Sequence, residues 1–416
     1  YVGWGGLVNA FPDQKGQYKK GWQERGEKLR SLLSDEEYKD AKRSTINAHY
    51  TAPVVVSAIY DGLKRMGFNG GKVLEPGSGI GNFMGMLPAD LRGKARFNGV
   101  ELDTITAQMS ELIYPEHHIY DGNFADYKAK ENSFDAVVGN VPFADIKLPY
   151  KGQKYSLHDF FMIKSMDALK PGGVMAVISS RYTMDKRATT FRKEMQKQAD
   201  LVASIRLPGN AFKENANTEV VTDILFLRKR KKGESPSTEN WIDVGVTSTP
   251  DGDVTLNQYY IQKPEMVIGT LGLQGTMYAG KEMSVTLDKG ASIEQELKER
   301  IDAIPEGGFA PDEDTFVTQD VFGASLDNPI PAALKPGALF IGADGKTIYE
   351  KISHQEAEPF TYRGKTLTVD STAGKMFTAY FPLRDAIREL INVEMNGAGN
   401  ADLIRKRVNA AYDAFV

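Results

Sequence analysis

The chain has 416 residues, 41% hydrophobic and 25% charged, which excludes disordered and collagen-like classes and suffices for two or three domains with their own cores. It has no cysteine, so disulfides, thiolate zinc sites and a cysteine nucleophile are excluded, and its five histidines show no metal-ligand spacing. The net charge of -4 does not by itself indicate a partner. Neither a membrane-spanning apolar run nor a signal peptide stands out, and we expect a soluble cytoplasmic protein.

The sequence predicts three parts in chain order. Residues 1–47 form an N-terminal helical arm, in which Ser34 followed by acidic residues indicates a helix start. Residues 48–232 form a catalytic domain. Residues 233–416 open with a linker-like stretch and form a C-terminal α+β accessory region in which no chemical motif stands out.

Short apolar segments alternate with helical patterns through the catalytic domain, which favours an α/β fold with a doubly wound, mostly parallel sheet. The predicted helices cover residues 53–66, 81–87, 103–113, 157–169 and 187–198. The predicted strands cover residues 72–75, 96–101, 118–121, 134–139, 174–180, 202–206 and 221–228. In the accessory region, strands are predicted near 242–247 and 256–260, and helices over 293–303, 380–394 and 400–415. Because ligands of such sheets bind at the carboxyl ends of the strands, the residues after each strand are the candidates for a site.

A glycine-rich turn follows the first predicted strand, which ends in an acidic residue. Glycines at this bend let the backbone approach a ligand closely. The spacing is GxGxG, and the acid four residues before the second glycine is misplaced for a pyrophosphate but suits the ammonium of a methionine moiety. The pattern favours S-adenosylmethionine over NAD. The predicted cofactor-binding residues of this turn are Glu75, Pro76, Gly77, Gly79 and Gly81.

Two further features follow the next two strands. Glu101 ends the second predicted strand, where a carboxylate can accept hydrogen bonds from both ribose hydroxyls of a nucleoside cofactor. After the third strand, Asn123 offers an amide to the adenine amino group and Phe124 offers a ring to stack on the base. Each feature is weak alone, but their order after three successive strands indicates a nucleoside cofactor.

The tetrapeptide Asn140, Val141, Pro142 and Phe143 follows the fourth predicted strand. The planar amine of adenine is a poor nucleophile because its lone pair is delocalised into the ring, and it improves when two acceptors hold its hydrogens. Asn140 can supply a side-chain oxygen, which also faces the cofactor, and Val141 a backbone carbonyl. Pro142 stiffens the turn and Phe143 can stack on the base. Catalysis then consists mainly of positioning and electrostatic stabilisation, and the alternative is a simple strand-end turn capped by Asn140.

The tetrapeptide resembles the Asn-Pro-Pro-Tyr/Phe signature of amino-methyltransferases, from which Val141 departs. The resemblance implies a class I S-adenosylmethionine-dependent methyltransferase fold, Rossmann-like, and no metal. Tyr50 and Thr51 resemble the entry motif of N6-adenine DNA methyltransferases, which implies that Thr51 helps bind the cofactor's carboxylate. The segment 207–213 resembles the loop whose phenylalanine packs against the flipped target base, so Phe212 is expected to face Phe143 across the adenine.

Charge distribution bears on the acceptor. Residues 151–235 hold 17 Lys plus Arg against 9 Asp plus Glu, and this stretch ends in the basic run 228–232. The run is either a solubilising strand end or part of a nucleic-acid surface. Arg181, at the end of the fifth predicted strand, can reach a DNA phosphate. His158 and Asp159 open the predicted helix that follows the tetrapeptide and are expected to orient or cap rather than react.

A wider resemblance covers most of the chain. Residues 3–6, the tetrapeptide, residues 383–386 and residues 410–413 look like the large methylase-helicase proteins of phages and conjugative elements. There an adenine-methylase module precedes an SNF2-type helicase, which implies protection of mobile-element DNA from restriction in the bacterial host cell. Residues 233–416 would then bind DNA or lead to a helicase region. Two alternatives stay open: a methyltransferase that acts on RNA or a protein glutamine, and a non-catalytic module that binds DNA or a partner.

Overall fold

The computed structural model describes most of the chain and divides it into two compact units, Tyr1–Thr315 and Phe316–Val416. The described residues are 4–13, 15–45, 51–144, 146–209, 220–275, 281–312, 337–342, 344–352, 357–362, 365–396 and 401–415. The predicted accessory region 233–416 extends over both units. The three-part division of the sequence stays a prediction.

The first unit contains helices and strands in alternation, as the sequence predicts for its middle part. Its α-helices are α1 (Gln23–Leu32), α2 (Asp35–Ser44), α3 (Pro53–Arg65), α4 (Asn82–Gly85), α5 (Thr104–Ile113), α6 (Leu157–Ala168), α7 (Tyr182–Asp185), α8 (Thr190–Gln196), α9 (Gln258–Gln262) and α10 (Ile293–Asp302). Its strands are β1 (Gly71–Pro76), β2 (Ala95–Glu101), β3 (His118–Asp121), β4 (Phe134–Asn140), β5 (Lys147–Tyr150), β6 (Gln153–Ser156), β7 (Leu169–Ser180), β8 (Ala199–Leu207), β9 (Thr222–Lys229), β10 (Val244–Thr249), β11 (Gly252–Asn257), β12 (Thr270–Gly275) and β13 (Lys281–Thr286). Short 3-10 helices cover Trp4–Ala10 and Pro264–Met266.

Seven of these strands form one sheet in the order β3-β2-β1-β4-β7-β9-β8. The first five run parallel, and β9 is antiparallel to both β7 and β8. The interior of β4 is buried on both faces, as expected for a parallel strand covered by helices. A parallel sheet with a reversed strand inserted before its last edge is the class I S-adenosylmethionine-dependent methyltransferase fold, which confirms the predicted fold class.

Helix α6 is buried along most of its length because it packs on the sheet and against the β5–β6 hairpin. Its last carbonyls are bonded by the buried amine of Lys229, which donates to Met166 (2.8 Å) and Leu169 (2.7 Å). Helix ends leave such carbonyls without intrahelical partners, so Lys229 completes the end of α6.

Some predicted elements differ from the structure. The hairpin β5–β6 and the short helix α7 were not predicted, and the predicted strand 256–260 is wrong in its second half. There the side chain of Asn257 accepts a hydrogen bond from the N–H of Tyr259 (2.9 Å) and starts α9.

The N-terminal arm packs its own small apolar cluster, in which Trp4, Phe11 and Ala41 are buried and Ile105 of α5 lies against them. The predicted helix start is confirmed, since Ser34 and Glu37 form a reciprocal capping box at α2.

Strand β8, at one edge of the sheet, is covered by residues 241–275 and 281–286, here called the edge cover. The N–H of Ser204 donates to the hydroxyl of Tyr259 (3.1 Å), and the N–H of Ile268 donates to the carbonyl of Arg206 (2.9 Å). Beyond the strand end, the N–H of Gly209 donates to the carbonyl of Val285 (2.9 Å). The edge cover therefore satisfies backbone groups that an edge strand otherwise leaves open.

A buried ion network joins the edge cover to the sheet. The guanidinium of Arg206, fully buried, donates to both carboxylate oxygens of Asp223 (2.8 Å each) and to Asp185 (2.7 Å). The other oxygen of Asp185 accepts from the N–H of Asn257 (2.9 Å), and the Arg206 guanidinium lies 4.3 Å from the ring centre of Tyr260. One guanidinium thus pairs with both carboxylates inside the protein.

The second unit has its own small core around Ile348, Leu367 and Phe381. Its elements are β14 (Leu339–Ile341), β15 (Ile348–Lys351), β16 (Ala357–Pro359), β17 (Thr361–Tyr362), β18 (Lys365–Thr366), α11 (Thr372–Asn396) and α12 (Ala401–Phe415). No helix within the described ranges is both long enough and apolar enough to cross a membrane.

Candidate active site

The glycine-rich turn after β1 is held against β2. The N–H groups of Gly77 and Ser78 both donate to the carbonyl of Val100 (2.8 and 2.9 Å). Gly81 has a φ of 84°, and a Cβ at that position would lie 2.6 Å from the ring of Tyr114. The turn therefore needs glycine both for its backbone angle and for space.

Glu101, at the end of β2, links this turn to the next helix. One carboxylate oxygen accepts from the N–H of Gly79 (2.8 Å) and the other from the N–H of Asp103 (2.8 Å). Burial raises the pKa of Glu101 to about 7, although these backbone hydrogen bonds act to lower it. Each oxygen keeps a second lone pair, so the predicted ribose ligand has the acceptors that this role requires.

Glu75, the last acid of β1, is buried beside the turn, with 2% of its surface exposed. Its Oε2 has no hydrogen-bond partner among the described residues. Burial and the neighbouring Glu101 carboxylate raise the pKa of Glu75 well above its ordinary value. A buried carboxylate oxygen without a donor is costly, and a cationic group such as the ammonium of S-adenosylmethionine would satisfy it. The residues present therefore fit that cofactor.

The predicted adenine contacts after β3 are both engaged within the protein. The side-chain oxygen of Asn123 accepts from the N–H of Ala125 (2.9 Å), in a local turn. Phe124 is 3% exposed, and its ring centre lies 4.8 Å from that of Phe161. Lys164 lies over the Phe124 ring at 5.0 Å and donates to its carbonyl (2.6 Å). Asn123 thus stabilises the turn after β3, and Phe124 packs against α6. Their contact with a cofactor base stays a prediction.

The tetrapeptide that follows β4 lies directly beside the cofactor turn. A Cβ placed on Gly139 would be 3.7 Å from Cγ of Glu75, and one placed on Gly77 would be 3.9 Å from Cδ of Pro142. Asn140 pairs with Ile178 in the β4–β7 register. The structure therefore brings the predicted catalytic and cofactor residues of β1 and β4 together.

Val141 continues the strand by one hydrogen bond. Its N–H donates to the carbonyl of Ile178 (3.1 Å), and its side chain is buried. Proline, which the resembling signature has at this position, has no N–H and could not make this bond. Phe143 is partly buried against the core of the first unit.

The remaining sequence-predicted residues are placed as follows. Thr51 is buried immediately before α3, whereas Tyr50 and Phe212 lie outside the described residues. Arg181 follows β7, and its N–H donates to the carbonyl of Val221 at the start of β9 (3.4 Å). Its guanidinium donates to the hydroxyl of Tyr182 (2.8 Å) and lies 4.1 Å from that ring centre. Tyr182 was not among the residues predicted from the sequence, although it is an aromatic residue directly after Arg181 at the end of a predicted strand.

The polar residues at the start of α6 form a buried group. The hydroxyl of Ser156 donates to Asp159 (2.6 Å) and lies 3.0 Å from Nε2 of His158. Burial lowers the pKa of His158, which favours its neutral form. Lys186, after α7, approaches the same Asp159 oxygen at 3.4 Å. The group ties α6 to the segment after β7, in keeping with a role in orientation.

The basic run 228–232 lies at the opposite end of the strands from the tetrapeptide. In the antiparallel β7–β9 pair, Arg228 lies beside Val174, whereas Thr222 lies beside Ser180 at the carboxyl end of β7. Lys229 is buried against the end of α6, and Arg228 and Arg230 form ion pairs with Glu234 (2.7 Å) and Asp200. The interpretation of this run as part of a DNA surface at the site is therefore wrong. Four of its five charges are paired or bonded within the protein, including Lys231 with Asp312 (3.2 Å), whereas Lys232 is exposed.

Within the ranges that the structure describes, no group of three or more His, Asp or Glu side chains is arranged to hold a metal ion.

Taken together, the strand order and the two carboxylates beside a glycine turn define a domain of the class I methyltransferase type. Residues 91–212 match the family described as Eco57I restriction-modification methylase. Defense against restriction protein B of Escherichia phage P1 is 27% identical over 194 residues, which are 44% of this chain and 8% of that protein. The chain thus spans less than a tenth of the length of the curated relative that it matches.

Two solved structures are similar in fold. A Listeria monocytogenes protein assigned as a class I S-adenosylmethionine-dependent methyltransferase has 15% identity and a TM-score of 0.40, covering 57% of this chain and 82% of its own. The methyltransferase subunit of a type I restriction-modification system from Streptococcus thermophilus has 20% identity and a TM-score of 0.38, covering 49% and 53%. The fold assignment itself comes from the strand order.

Proposed function

We propose that this chain transfers a methyl group from S-adenosylmethionine to the N6 amino group of adenine in DNA, with the target base flipped out of the helix. The observation that carries the proposal is that the tetrapeptide lies beside the cofactor turn, since a Cβ placed on Gly77 would be 3.9 Å from Cδ of Pro142. A site for an amine acceptor and a site for a methyl donor then lie side by side.

The residues of the turn would hold the cofactor. Glu75 would receive the ammonium, Glu101 the ribose hydroxyls and Thr51 the carboxylate, while Asn123 and Phe124 would border the adenine. When bound, S-adenosylmethionine supplies a methyl group on a cationic sulfur. Because Glu75 and Glu101 are held by burial and by the turn, the cofactor's position is fixed by groups that need no rearrangement.

The tetrapeptide would hold and activate the amine. The side-chain oxygen of Asn140 and the carbonyl of Val141 would accept the two amino hydrogens, which localises the lone pair on nitrogen and stabilises the positive charge that develops there. The ladder bond from the N–H of Val141 to Ile178 holds the peptide that joins Asn140 to Val141. The ring of Phe143 would stack on the base and repay part of the unstacking cost of a few kcal/mol.

The choice of DNA is supported by the restriction-modification family that residues 91–212 match. The name of the phage P1 relative supports a second element of the proposal, that the chain protects mobile-element DNA from restriction inside a bacterial cell. A helicase region linked to this chain in a longer polypeptide also belongs to the proposal and follows from the resemblance to methylase-helicase proteins.

Transfer of a labelled methyl group to duplex DNA, single-stranded DNA and RNA, each with and without adenine, tests the proposal. We expect transfer only to adenine-containing DNA, and Asn140→Ala is expected to lose transfer by about 100-fold or more while still binding S-adenosylmethionine in calorimetry. The exposed Asn240→Ala serves as the matched control and should act as wild type. Transfer to an adenine-free substrate, or absence of cofactor binding by the wild-type chain, would contradict the proposal.

A further inference from the structure

Arg181 and Tyr182 lie at the same end of the parallel strands as the tetrapeptide, the carboxyl end. The order β4-β7-β9-β8 places the end of β7 next to the end of β4, and Ser180 extends two residues beyond the partner of Asn140. Arg181 and Tyr182 follow directly and reach the start of β9 through Val221. The pair thus lies between the end of β4 and the start of β9.

The charge of Arg181 is not neutralised by a neighbour that the structure describes. Its guanidinium contacts the hydroxyl and ring of Tyr182, and no described carboxylate forms an ion pair with it. Other arginines of this unit differ, since Arg206, Arg228 and Arg230 all pair with carboxylates. An arginine stacked on an aromatic ring at a site's rim keeps most of its donors for an external anion.

Tyr182 is exposed and yet held in place. It is 44% exposed, although it opens the short helix α7, whose next three residues are buried. Its N–H lies 3.4 Å from the hydroxyl of Ser180, and its own hydroxyl accepts from Arg181. An exposed aromatic ring leaves apolar surface in contact with water unless a partner covers it. Every nucleic-acid base has an aromatic face that can stack on such a ring.

The surroundings of the pair favour a polyanion. Arg187 is exposed after α7, and Lys186 is partly exposed with its amine on the buried Asp159. The carboxylate of α7, Asp185, is turned inward onto Arg206. Cationic groups therefore face the solvent here while the acidic ones face the core.

We propose that Arg181 and Tyr182 form a nucleotide subsite for DNA, in which Tyr182 stacks on the base that flanks the target adenine and Arg181 binds the adjoining phosphate. This inference rests on the proposed function and adds a second aromatic contact outside the catalytic pocket. The flanking base is thereby kept in a fixed position when the adenine leaves the stack.

The test uses the full chain and a short duplex carrying the sequence in which wild-type protein methylates adenine, as mapped by sequencing its product. Affinity for this duplex is measured by fluorescence anisotropy, with S-adenosylmethionine affinity measured in parallel. Tyr182→Ala is expected to weaken DNA binding roughly 5- to 100-fold, and Tyr182→Phe to retain it. Arg181→Ala should lower the salt dependence of binding by about one phosphate contact. The matched control is Arg25→Ala, since Arg25 stacks on Trp22 (5.4 Å) in the N-terminal arm.

A scan of abasic nucleotides around the adenine sharpens the test and needs no protein variant. Wild-type protein should lose affinity at one flanking position, and Tyr182→Ala should be insensitive to the loss of that same base. Unchanged DNA affinity in Tyr182→Ala, or a scan in which no flanking base matters, would overturn the subsite while leaving methyl transfer intact. A wild-type chain that methylates no DNA would overturn the proposed function as well.

Discussion

Val141 occupies a position where the tetrapeptide needs a backbone carbonyl and the sheet needs an N–H. The N–H is used, since it donates to Ile178, and the side chain fills the core. The carbonyl, which valine and proline share, does not distinguish the two residues at this position. In the structure valine adds one ladder bond directly beside Asn140.

Val141→Pro tests this account. We expect the free energy of unfolding to fall by about 0.5–1.5 kcal/mol because one backbone hydrogen bond is lost. Methyl transfer per folded molecule should persist, since the carbonyl remains and an extended Asn140 is compatible with a following proline. Val141→Ala, which keeps the N–H, is the control for side-chain packing. Loss of transfer in Val141→Pro with normal cofactor binding would show that the ladder bond is needed for catalysis.

Glu101 predicts a pH dependence of cofactor affinity. Its pKa is raised to about 7 by burial, and only the ionised carboxylate accepts hydrogen bonds on both oxygens. Affinity for S-adenosylmethionine should therefore rise about fivefold to tenfold between pH 6 and pH 8. Stability without cofactor depends on pH in the opposite direction. The unfolded chain releases this proton near pH 4.5, whereas the folded chain keeps it until about pH 7, so Glu101 lowers the free energy of unfolding as pH rises towards 7.

Calorimetry at several pH values measures the cofactor affinity, and chemical unfolding at the same pH values measures stability. Glu101→Gln removes the titrating group, so the difference between wild type and this variant isolates the contribution of Glu101 from that of the cofactor's own amine. Equal pH profiles in the two proteins would mean that Glu101 does not bind the ribose.

At the scale of single residues, the sequence predicted those at the carboxyl ends of the strands. Glu75, Glu101 and Asn140 are placed by strand order alone, because parallel strands end at one edge of the sheet. Asn123 and Tyr182 required the structure. The oxygen of Asn123 is used in a local turn, and the importance of Tyr182 depends on which strands are neighbours in space.

At the scale of elements, long periodic segments were predictable and short ones were not. Helices such as α3 and α5 show the apolar period in their own residues. The hairpin β5–β6 and the four-residue helix α7 are too short for a period, and they exist because they pack on α6 and on β11. The end of β11 is likewise decided by one side chain, that of Asn257, at a position where local propensity favours a longer strand.

The ion network beneath β8 predicts a large effect of one substitution. Arg206→Met would leave Asp185 and Asp223 buried without their cation, and we expect a loss of about 3–5 kcal/mol in the free energy of unfolding. Urea unfolding followed by the fluorescence of Trp241, which is buried in the edge cover, measures it. Replacing all three members by uncharged residues should recover much of the loss.

The exposed pair Lys298 and Asp302 provides a comparison, because its two side chains are 72% and 58% exposed. Lys298→Met should leave the free energy of unfolding nearly unchanged, because exposed ion pairs contribute little. Similar effects of Arg206→Met and Lys298→Met would refute a structural role for the buried network.

At the scale of the whole molecule, the residue at which the chain is truncated should decide whether the first unit folds. A chain of residues 1–315 keeps the edge cover and should fold and bind S-adenosylmethionine as the full chain does. A chain of residues 1–232 exposes the edge of β8 and removes Tyr260 and Asn257 from Arg206, so we expect it to aggregate. Size-exclusion chromatography and calorimetry distinguish these results, and a well-folded 1–232 chain would show that the edge cover is dispensable.

Charge was the least predictable property at this scale. The local excess of basic residues in 151–235 is a true feature of the sequence, yet Lys229 bonds helix carbonyls and Arg206 bonds buried carboxylates. A linear count cannot separate such internal cations from those at a surface. Two cations that are at least partly exposed, Arg181 and Arg187, follow the end of β7 without being part of the basic run.

The edge cover also sets the order in which the domain can be completed during synthesis. Strand β8 and the aspartates around Arg206 leave the ribosome well before Tyr260, Ile268 and Val285, which seal the strand and fix Gly209. The nascent chain must therefore carry an open sheet edge for the time taken to translate roughly eighty further residues, about 4 to 16 s at roughly 5–20 residues per second. In that interval the unfinished domain depends on chaperones or on its own solubility, and a pause in translation near residue 232 would prolong its exposure.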